Sequence, residues 1–266
     1  MILQSINYMK KILILLIILS GYSGRSQTYS VIHVLGKIYL PEEGIYLKQG
    51  QKINQDATLR FETPASRAAV LSSDRGRYVL QPQATSTVGN DLTFALASVV
   101  SPVRGRMSTR AGGINNKLDF EKRLSGGPVA WLMNELKFQV SPSTFPINDD
   151  QFFFIRYQYL DKEVNKRLKS RGDTLLIRKD ELFLLDDMPI VASETSSHQL
   201  FYYHASEQSA MFITDFKFTL PGRDEILSIY EAMAGENQWQ ATYELVTEIF
   251  GACKESELRD FLFPEK

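Results

Sequence analysis

The pattern of apolar and polar residues divides the chain into a strand-rich front, a strand-rich middle and a helical end. Residues 29–40, YSVIHVLGKIYL, alternate between apolar and polar positions and are rich in β-branched and aromatic side chains. Such alternation favours a half-buried strand. The same criteria predict a strand in IYLKQGQKI and two strands on either side of SSDRG, with a hairpin turn at Asp74 to Gly76.

A second series of strands begins after Gly127. Its turns are predicted at Leu160-Asp161, at Asp186-Asp187 and at Ser206 to Ser209. Hairpins that follow one another without helices between them favour an antiparallel sandwich or a partly open barrel over a doubly wound parallel sheet.

Two aromatic triplets, Phe152 to Phe154 and Phe201 to Tyr203, stand inside these predicted strands. We expect them to form the core of the second series, because they lie in strand interiors. The alternative is a stacking platform for a sugar or a peptide.

The hydrophobic period becomes helical after Arg223. Apolar residues recur at helical spacing up to Gly251, with a break at Gly235, and a short third helix follows around Phe261. The predicted fold class is therefore mainly β, built from antiparallel hairpins in a sandwich or partly open barrel, with C-terminal α-helices. These helices either pack on a sheet or offer an apolar stripe to a partner.

The first residues form a leader. Lys10 and Lys11 precede an unbroken apolar run from Ile12 to Leu19, and small residues lead up to a cut before Gln27. This is the pattern of a secretory signal peptide. The apolar run is shorter than the roughly 20 residues that span a bilayer, so a permanent membrane span is the weaker alternative. The sequence thus predicts a periplasmic or other extracytoplasmic location in the cell envelope.

The chain is divided by these patterns into five segments. They are a signal peptide at 1–26, an N-terminal β module at 27–97, a loop or linker at 98–127, an antiparallel β domain at 128–222 and a helical tail at 223–266. The linker is predicted because periodicity fades there and Gly, Ser, Asn and Arg are dense.

Charge is nearly balanced overall and uneven along the chain. The formal net charge is −1, which gives no reason to expect a nucleic acid as partner. Basic residues outnumber acids ten to five over residues 60–123, whereas acids outnumber bases seventeen to five over residues 180–266. Either the two segments attract each other within one fold, or they form a docking surface for a charged partner.

Five arginines are the candidate binding residues. Arg75 and Arg77 flank the glycine of the predicted hairpin, and Arg104, Arg106 and Arg110 lie in the predicted linker. Guanidinium groups pair bidentately with carboxylate or phosphate. A merely solvated loop is the alternative, because the strand, glycine spacing and lysine of a phosphate-binding loop are missing.

Catalytic chemistry is not indicated. The only cysteine, Cys253, follows a helix-ending glycine, as an ordinary packing residue does. His198 and His204 would lie some 20 Å apart on one strand, too far to share a metal ion. The sequence therefore predicts no metal, no cofactor and no enzyme. The alternative is a periplasmic hydrolase that uses Cys253 or an acid pair such as Asp186-Asp187.

The front of the chain resembles a known family. VLGKI, LKQGQKINQDATLRF and RAAVLSSDRGRYVLQ together are similar to the FecR-like periplasmic domain over about residues 31–81. The chain departs from that pattern at Arg75, which separates Asp74 from Gly76. The resemblance implies a small β module for envelope signalling or ligand contact. We therefore expect an exported, non-catalytic module that binds a protein partner in an envelope assembly for signalling or secretion, or a small ligand between its two β units.

Overall fold

The computed structural model describes residues 27–72, 76–82, 93–96, 100–102, 113–235 and 237–264. Within these residues the protein is mainly β, with antiparallel sheets and C-terminal helices, so the predicted fold class is confirmed. The predicted signal peptide, residues 1–26, and residues 103–112 of the predicted linker lie outside the described residues.

We call residues 27–102 the N-terminal sandwich; the part of it that the structure describes contains nine strands. They are β1 Thr28–Leu35, β2 Ile38–Leu40, β3 Ile45–Tyr46, β4 Lys52–Asn54, β5 Thr58–Phe61, β6 Arg67–Ser72, β7 Arg77–Leu80, β8 Thr93–Ala95 and β9 Val100–Pro102. One sheet has the order β4-β1-β6-β7-β9 and the other β3-β2-β5-β8. The strands β6 and β7 pair antiparallel, as the sequence predicts for the segments on either side of SSDRG, while Asp74 and Arg75 of the predicted turn lie outside the described residues.

A core of apolar side chains joins the two sheets. Val31 and Val70 from the first sheet meet Ile38, Leu59 and Phe61 from the second, and all five are almost completely buried. Alternation along each short strand places these residues on the inner faces, as the sequence pattern requires.

The second β unit, residues 113–220, contains the remaining strands. Its elements are α1 Lys117–Leu124, β10 Val129–Ala130, β11 Glu135–Gln139, β12 Gln151–Tyr159, β13 Lys162–Arg167, β14 Lys169–Arg171, β15 Thr174–Arg178, α2 Lys179–Leu182, β16 Leu184–Leu185, β17 Met188–Pro189, a 3-10 turn Ala192–Glu194, β18 Thr195–His204, β19 Ser209–Asp215 and β20 Phe218–Thr219. Its largest sheet has the order β13-β12-β18-β19, beside a sheet β11-β15-β14 and the pairs β16-β17 and β10-β20.

The hairpins of this unit turn where the sequence predicts. Strands β12 and β13 are joined at Leu160-Asp161, β16 and β17 at Asp186-Asp187, and β18 and β19 at residues 205–208. Leu160, Asp186 and Asp187 have positive φ angles of 51°, 49° and 61°. Two successive positive φ angles are the backbone of a type I′ hairpin, which matches the twist of the flanking strands.

A short helix interrupts the segment that the sequence predicts to be a linker. In α1 the Asn116 side chain accepts a hydrogen bond from the Asp119 backbone, and Phe120 and Leu124 are fully buried in the core of the second β unit. The prediction of a loop is wrong here. The helix has only two core residues among polar ones, too few to produce a recognisable period.

Three helices close the chain, as predicted: α3 Arg223–Ala232, α4 Gln238–Phe250 and α5 Glu255–Leu262. Their apolar faces pack on the outer face of the β1-β6-β7 sheet, where Ile32, Ala69 and Val79 contribute to the shared core. That sheet is therefore buried on both faces. No helix among the described residues has the length and apolar character needed to cross a membrane.

Candidate functional site

Four of the five candidate arginines, Arg75, Arg104, Arg106 and Arg110, lie outside the described residues. Arg77 is the first residue of β7, on the same face as Val79, which packs under the helices. Its guanidinium lies 3.2 Å from a carboxylate oxygen of Glu244 in α4, with Arg77 33% and Glu244 21% exposed.

The Arg77 guanidinium is therefore paired within the fold and is not simply solvated. Alternation along β7 turns it toward the helical layer, where it pairs with an acid of the C-terminal segment. Nearby, Arg67 donates to the backbone carbonyl of Glu248 at 2.9 Å. At Arg77 and Glu244 the basic front and the acidic end of the chain therefore attract each other within one fold.

The residues of the hydrolase alternative are poorly placed for catalysis. Cys253 is 5% exposed, and burial raises the pKa of its thiol to about 12. The thiolate is the nucleophilic form, so this thiol is inert at neutral pH. Asp186 and Asp187 are exposed in the tight β16-β17 turn. Among the described residues, no group of three or more His, Cys, Asp and Glu side chains is arranged to hold a metal ion.

The largest sheet of the second β unit carries aromatic rings on both faces. Alternation sends Phe153 and Tyr202 into the core, where both are almost completely buried. The other members of the two triplets point to the opposite face. Phe154 and Phe201 are buried as well, at 8% and 9% exposed, so the expectation of burial holds for four of the six rings, although only Phe153 and Tyr202 belong to the core of the second β unit.

We call the outward rings the aromatic face; they are Phe152, Phe154, Phe201, Tyr203 and Phe212. Phe154 and Phe201 stack with centroids 5.1 Å apart and an interplanar angle of 8°. Phe212 meets Phe201 edge-on at 5.6 Å and is 38% exposed. Phe152 lies 5.2 Å from Tyr203.

Three cations lie over these rings. The Arg167 guanidinium is 4.1 Å from the ring centre of Phe152, and that of Arg156 is 4.8 Å from Phe201. The Lys117 ammonium is 5.4 Å from Phe212. Such cation–π contacts stabilise at about 0.5–1 kcal/mol each at exposed sites.

Each of these cations also has an acidic neighbour. Arg167 pairs with Asp149 at 3.4 Å, Arg156 with Glu163 at 3.3 Å, and Lys117 with Glu121 at 3.7 Å. The Asp149 side chain is fully exposed. Ion pairs of this kind contribute about 0–1 kcal/mol, so an acid from another molecule can replace such a partner at little cost.

A pocket of about 560 Å³ opens at one end of the same sheet. It lies where β19 ends at Asp215 and the chain leaves β18 to form β20 beside β10. His198, Phe218 and Leu220 contribute to its wall, and Asp215 and Lys217 are exposed at its edge. We call it the His198 pocket.

His198 is held in one tautomer by its neighbours. The Thr195 hydroxyl donates to the Ala192 carbonyl at 2.6 Å, so it accepts from Nε2 of His198 at 2.9 Å. The proton therefore sits on Nε2 and the lone pair on Nδ1. Burial against Tyr157 and Phe218 lowers the pKa of His198 from 6.5 to about 4, so the ring is neutral at pH 7.

A bulge in β18 sets the direction of this side chain. The register between β12 and β18 shifts between Arg156 and Gln158, and opposite this shift Ser197 has a φ of 55°. An extra residue in one strand re-aims the side chains that follow it. A positive φ at a residue other than glycine is uncommon and has an energetic cost, so the surrounding structure must maintain it.

Sequence reasoning named the two aromatic triplets only as the alternative of a stacking platform, and it did not find the His198 pocket. Three consecutive aromatics in a strand do not reveal which ring points outward, and a single histidine beside serines matches no motif. Comparison with family models, with curated proteins and with solved structures gave no match to this chain.

Proposed function

We propose that this chain is an exported, non-catalytic protein of the cell envelope that binds a protein partner through its aromatic face. The signal-peptide pattern of residues 1–26 supports export. The FecR-like resemblance of residues 31–81 supports a role in an envelope assembly. Export is tested by the intact mass of the secreted protein, which should begin at Gln27; a species that retains Ile12 to Leu19 would contradict it.

The observation that carries the proposal is the composition of the aromatic face. Aromatic residues and arginine are the types most enriched at the centres of protein interfaces, where a few of them supply most of the binding energy. Here five rings and two arginines share the outward face of one sheet. Phe152, Tyr203 and Phe212 are at least partly exposed, whereas Phe154 and Phe201 are buried beneath Arg156. A rigid sheet also fixes them in place before binding, which lowers the entropic cost of association.

The same face indicates the chemistry of the partner. Apolar side chains would cover the rings, and a carboxylate would take the position of the exposed Asp149 beside Arg167. Such an exchange keeps the guanidinium paired while the ring beneath it is removed from water. We therefore expect a partner surface with apolar residues bordered by acids.

Photo-crosslinking in the native envelope tests the location of the interface. A photoreactive phenylalanine analogue placed at Phe212, which is 38% exposed, should give a crosslink to a defined protein. The control position is Met188, the first residue of β17, which is 66% exposed and should give no such crosslink. Equal crosslinking from both positions, or none from Phe212, would contradict the proposal.

A matched pair of arginine variants tests the chemistry. Arg167 and Arg259 each lie over an aromatic ring, at 4.1 Å and 4.7 Å, and each pairs with an acid. Arg167→Gln should weaken capture of the crosslinked partner by about tenfold, since interface arginines often contribute more than 1 kcal/mol. Arg259→Gln, in the helical layer, should leave capture unchanged. The reverse order of effects would place the interface elsewhere.

A further inference from the structure

Two opposite charges lie side by side at the edge of the His198 pocket. Asp215 ends β19 and Lys217 directly precedes β20; both are exposed, the Phe216 between them is 2% exposed, and both contribute to the pocket. Among the described residues neither side chain forms an ion pair; Asp215 accepts only a long hydrogen bond of 3.4 Å from Gln199. The Asp215 carboxylate and the Lys217 ammonium are therefore both available to bind charged groups of a ligand.

The spacing of these charges selects the length of that ligand. The Cα atoms of residues two apart in an extended chain are separated by about 6–7 Å. Two extended residues span about 7 Å at most, so the terminal ammonium and carboxylate of a dipeptide have a similar separation. A single amino acid, whose charged groups are adjacent, does not reach both side chains as readily.

From this arrangement we propose that the His198 pocket binds a dipeptide with free termini and apolar side chains. The ammonium of the dipeptide pairs with Asp215 and its carboxylate with Lys217. This inference goes beyond the proposed function, because it concerns a small ligand at a different surface from the aromatic face.

The remaining groups of the pocket fit the middle of such a ligand. Phe218 and Leu220, with Leu220 38% exposed, offer apolar surface to its side chains. The Nδ1 atom of His198 has no hydrogen-bond partner among the described residues and carries a lone pair. A peptide N–H is a donor that can pair with this lone pair.

The size of the pocket agrees with this ligand. Small-molecule sites enclose about 300–1,000 Å³, and the volume of about 560 Å³ lies inside that range. A dipeptide with two leucine side chains would cover much of the apolar wall. A glycine dipeptide presents the same termini without that apolar area, which makes it a comparison for the contribution of the side chains.

Titration calorimetry with the protein purified after expression of the full chain tests the proposal. The probes are leucyl-leucine, its N-acetylated form, its C-terminal amide and glycyl-glycine. Leucyl-leucine should bind saturably, and blocking either terminus should weaken binding by about two- to fivefold, the range expected for a solvent-accessible ion pair. Glycyl-glycine should bind more weakly than leucyl-leucine.

Charge variants assign each terminus. Asp215→Asn should bind leucyl-leucine and its N-acetylated form equally well. Lys217→Gln should bind leucyl-leucine and its C-terminal amide equally well. Asp56→Asn and Lys52→Gln alter exposed residues of the N-terminal sandwich and should preserve the wild-type differences. Arg167→Gln should also preserve them, which separates this test from that of the aromatic face.

Two results would overturn the inference. One is the absence of saturable leucyl-leucine binding. The other is a binding signal whose dependence on the blocked termini survives unchanged in Asp215→Asn and Lys217→Gln.

Discussion

Replacement of Gly251 by alanine should strongly destabilise the fold, because two backbones meet there. Gly251 ends α4 with a φ of 109°. A Cβ at this position would lie 2.0 Å from the carbonyl oxygen of Pro128 and 2.5 Å from its carbonyl carbon. Neither atom belongs to a side chain that can turn aside, so the two segments would have to separate.

The separation would break the junction between the helical layer and β10. Ala252 donates to the Pro128 carbonyl at 3.0 Å, and Ala130 donates to the Ala252 carbonyl at 2.9 Å. Loss of these two hydrogen bonds costs about 1–3 kcal/mol, and the strained φ costs about 1–3 kcal/mol more. We therefore expect Gly251→Ala to lower the free energy of unfolding by about 4 kcal/mol.

Gly235→Ala is the matched control. Gly235 has a φ of 134°, but no atom lies within 4 Å of the place its Cβ would take. Gly235→Ala should therefore lower the free energy of unfolding only by the cost of the strained φ, about 2 kcal/mol. Urea unfolding at 25 °C and pH 7, followed by circular dichroism, measures both. Equal losses in the two variants would refute the reasoning, since the clash with Pro128 would then have no effect.

Three further predictions concern stability. Arg77→Ala should cost about 0.5–1 kcal/mol, and a double-mutant cycle with Glu244→Gln should assign that loss to their ion pair; strictly additive losses would contradict this. Cys253→Ala should cost about 1 kcal/mol of packing and leave partner capture unchanged, whereas loss of capture in a folded variant would indicate a chemical role. Because burial lowers the pKa of His198 from 6.5 to about 4, its neutral form stabilises the fold fully above pH 6.5, and that contribution is lost as the pH falls toward 4. This lowers the free energy of unfolding by about 3 kcal/mol at most, and by about 1–2 kcal/mol after allowance for the exposed part of the ring. The free energy of unfolding, measured at pH 7 and at pH 4.5, should therefore fall less in His198→Gln than in the wild type.

The parts of the fold that depend on local pattern could be predicted from the sequence. Apolar residues such as Ile226, Ile229 and Val246 recur at helical spacing, and all three are buried in the helical layer. The hairpin turns also follow from local residues, because the chain must reverse between two apolar runs. In both cases neighbours in sequence decide the structure.

The candidate surfaces could not be predicted, since they depend on contacts between distant segments. Phe152 and Phe153 are equally apolar, and only the pairing of β12 with β18 decides which of them reaches the core. The His198 pocket exists because β19 leaves β18 after Asp215 and the chain then pairs with β10, some 90 residues earlier in the sequence. The buried Phe120 of α1 was missed for the same reason, because its partners Phe145 and Phe153 lie on other elements.

Both faces of the β1-β6-β7 sheet in the N-terminal sandwich are covered by other parts of the chain, which limits where a partner can bind a flat sheet surface. The inner face of its β1-β6-β7 sheet meets the second sheet, and the outer face, with Ile32 and Val79, lies under the helices. Arg77 and Glu244 add an ion pair to that contact. A partner could reach this sheet only by displacing the helices, which would expose a large apolar area at a cost of about 25 cal/mol per Å².

The aromatic face requires no such displacement, because Phe212 is already partly exposed and the acid beside Arg167 is fully in solvent. Binding at the aromatic face of the second β unit is therefore favoured for two reasons. The face is rich in aromatic rings and arginine, and binding at the sheet of the N-terminal sandwich would first require the helices to be displaced.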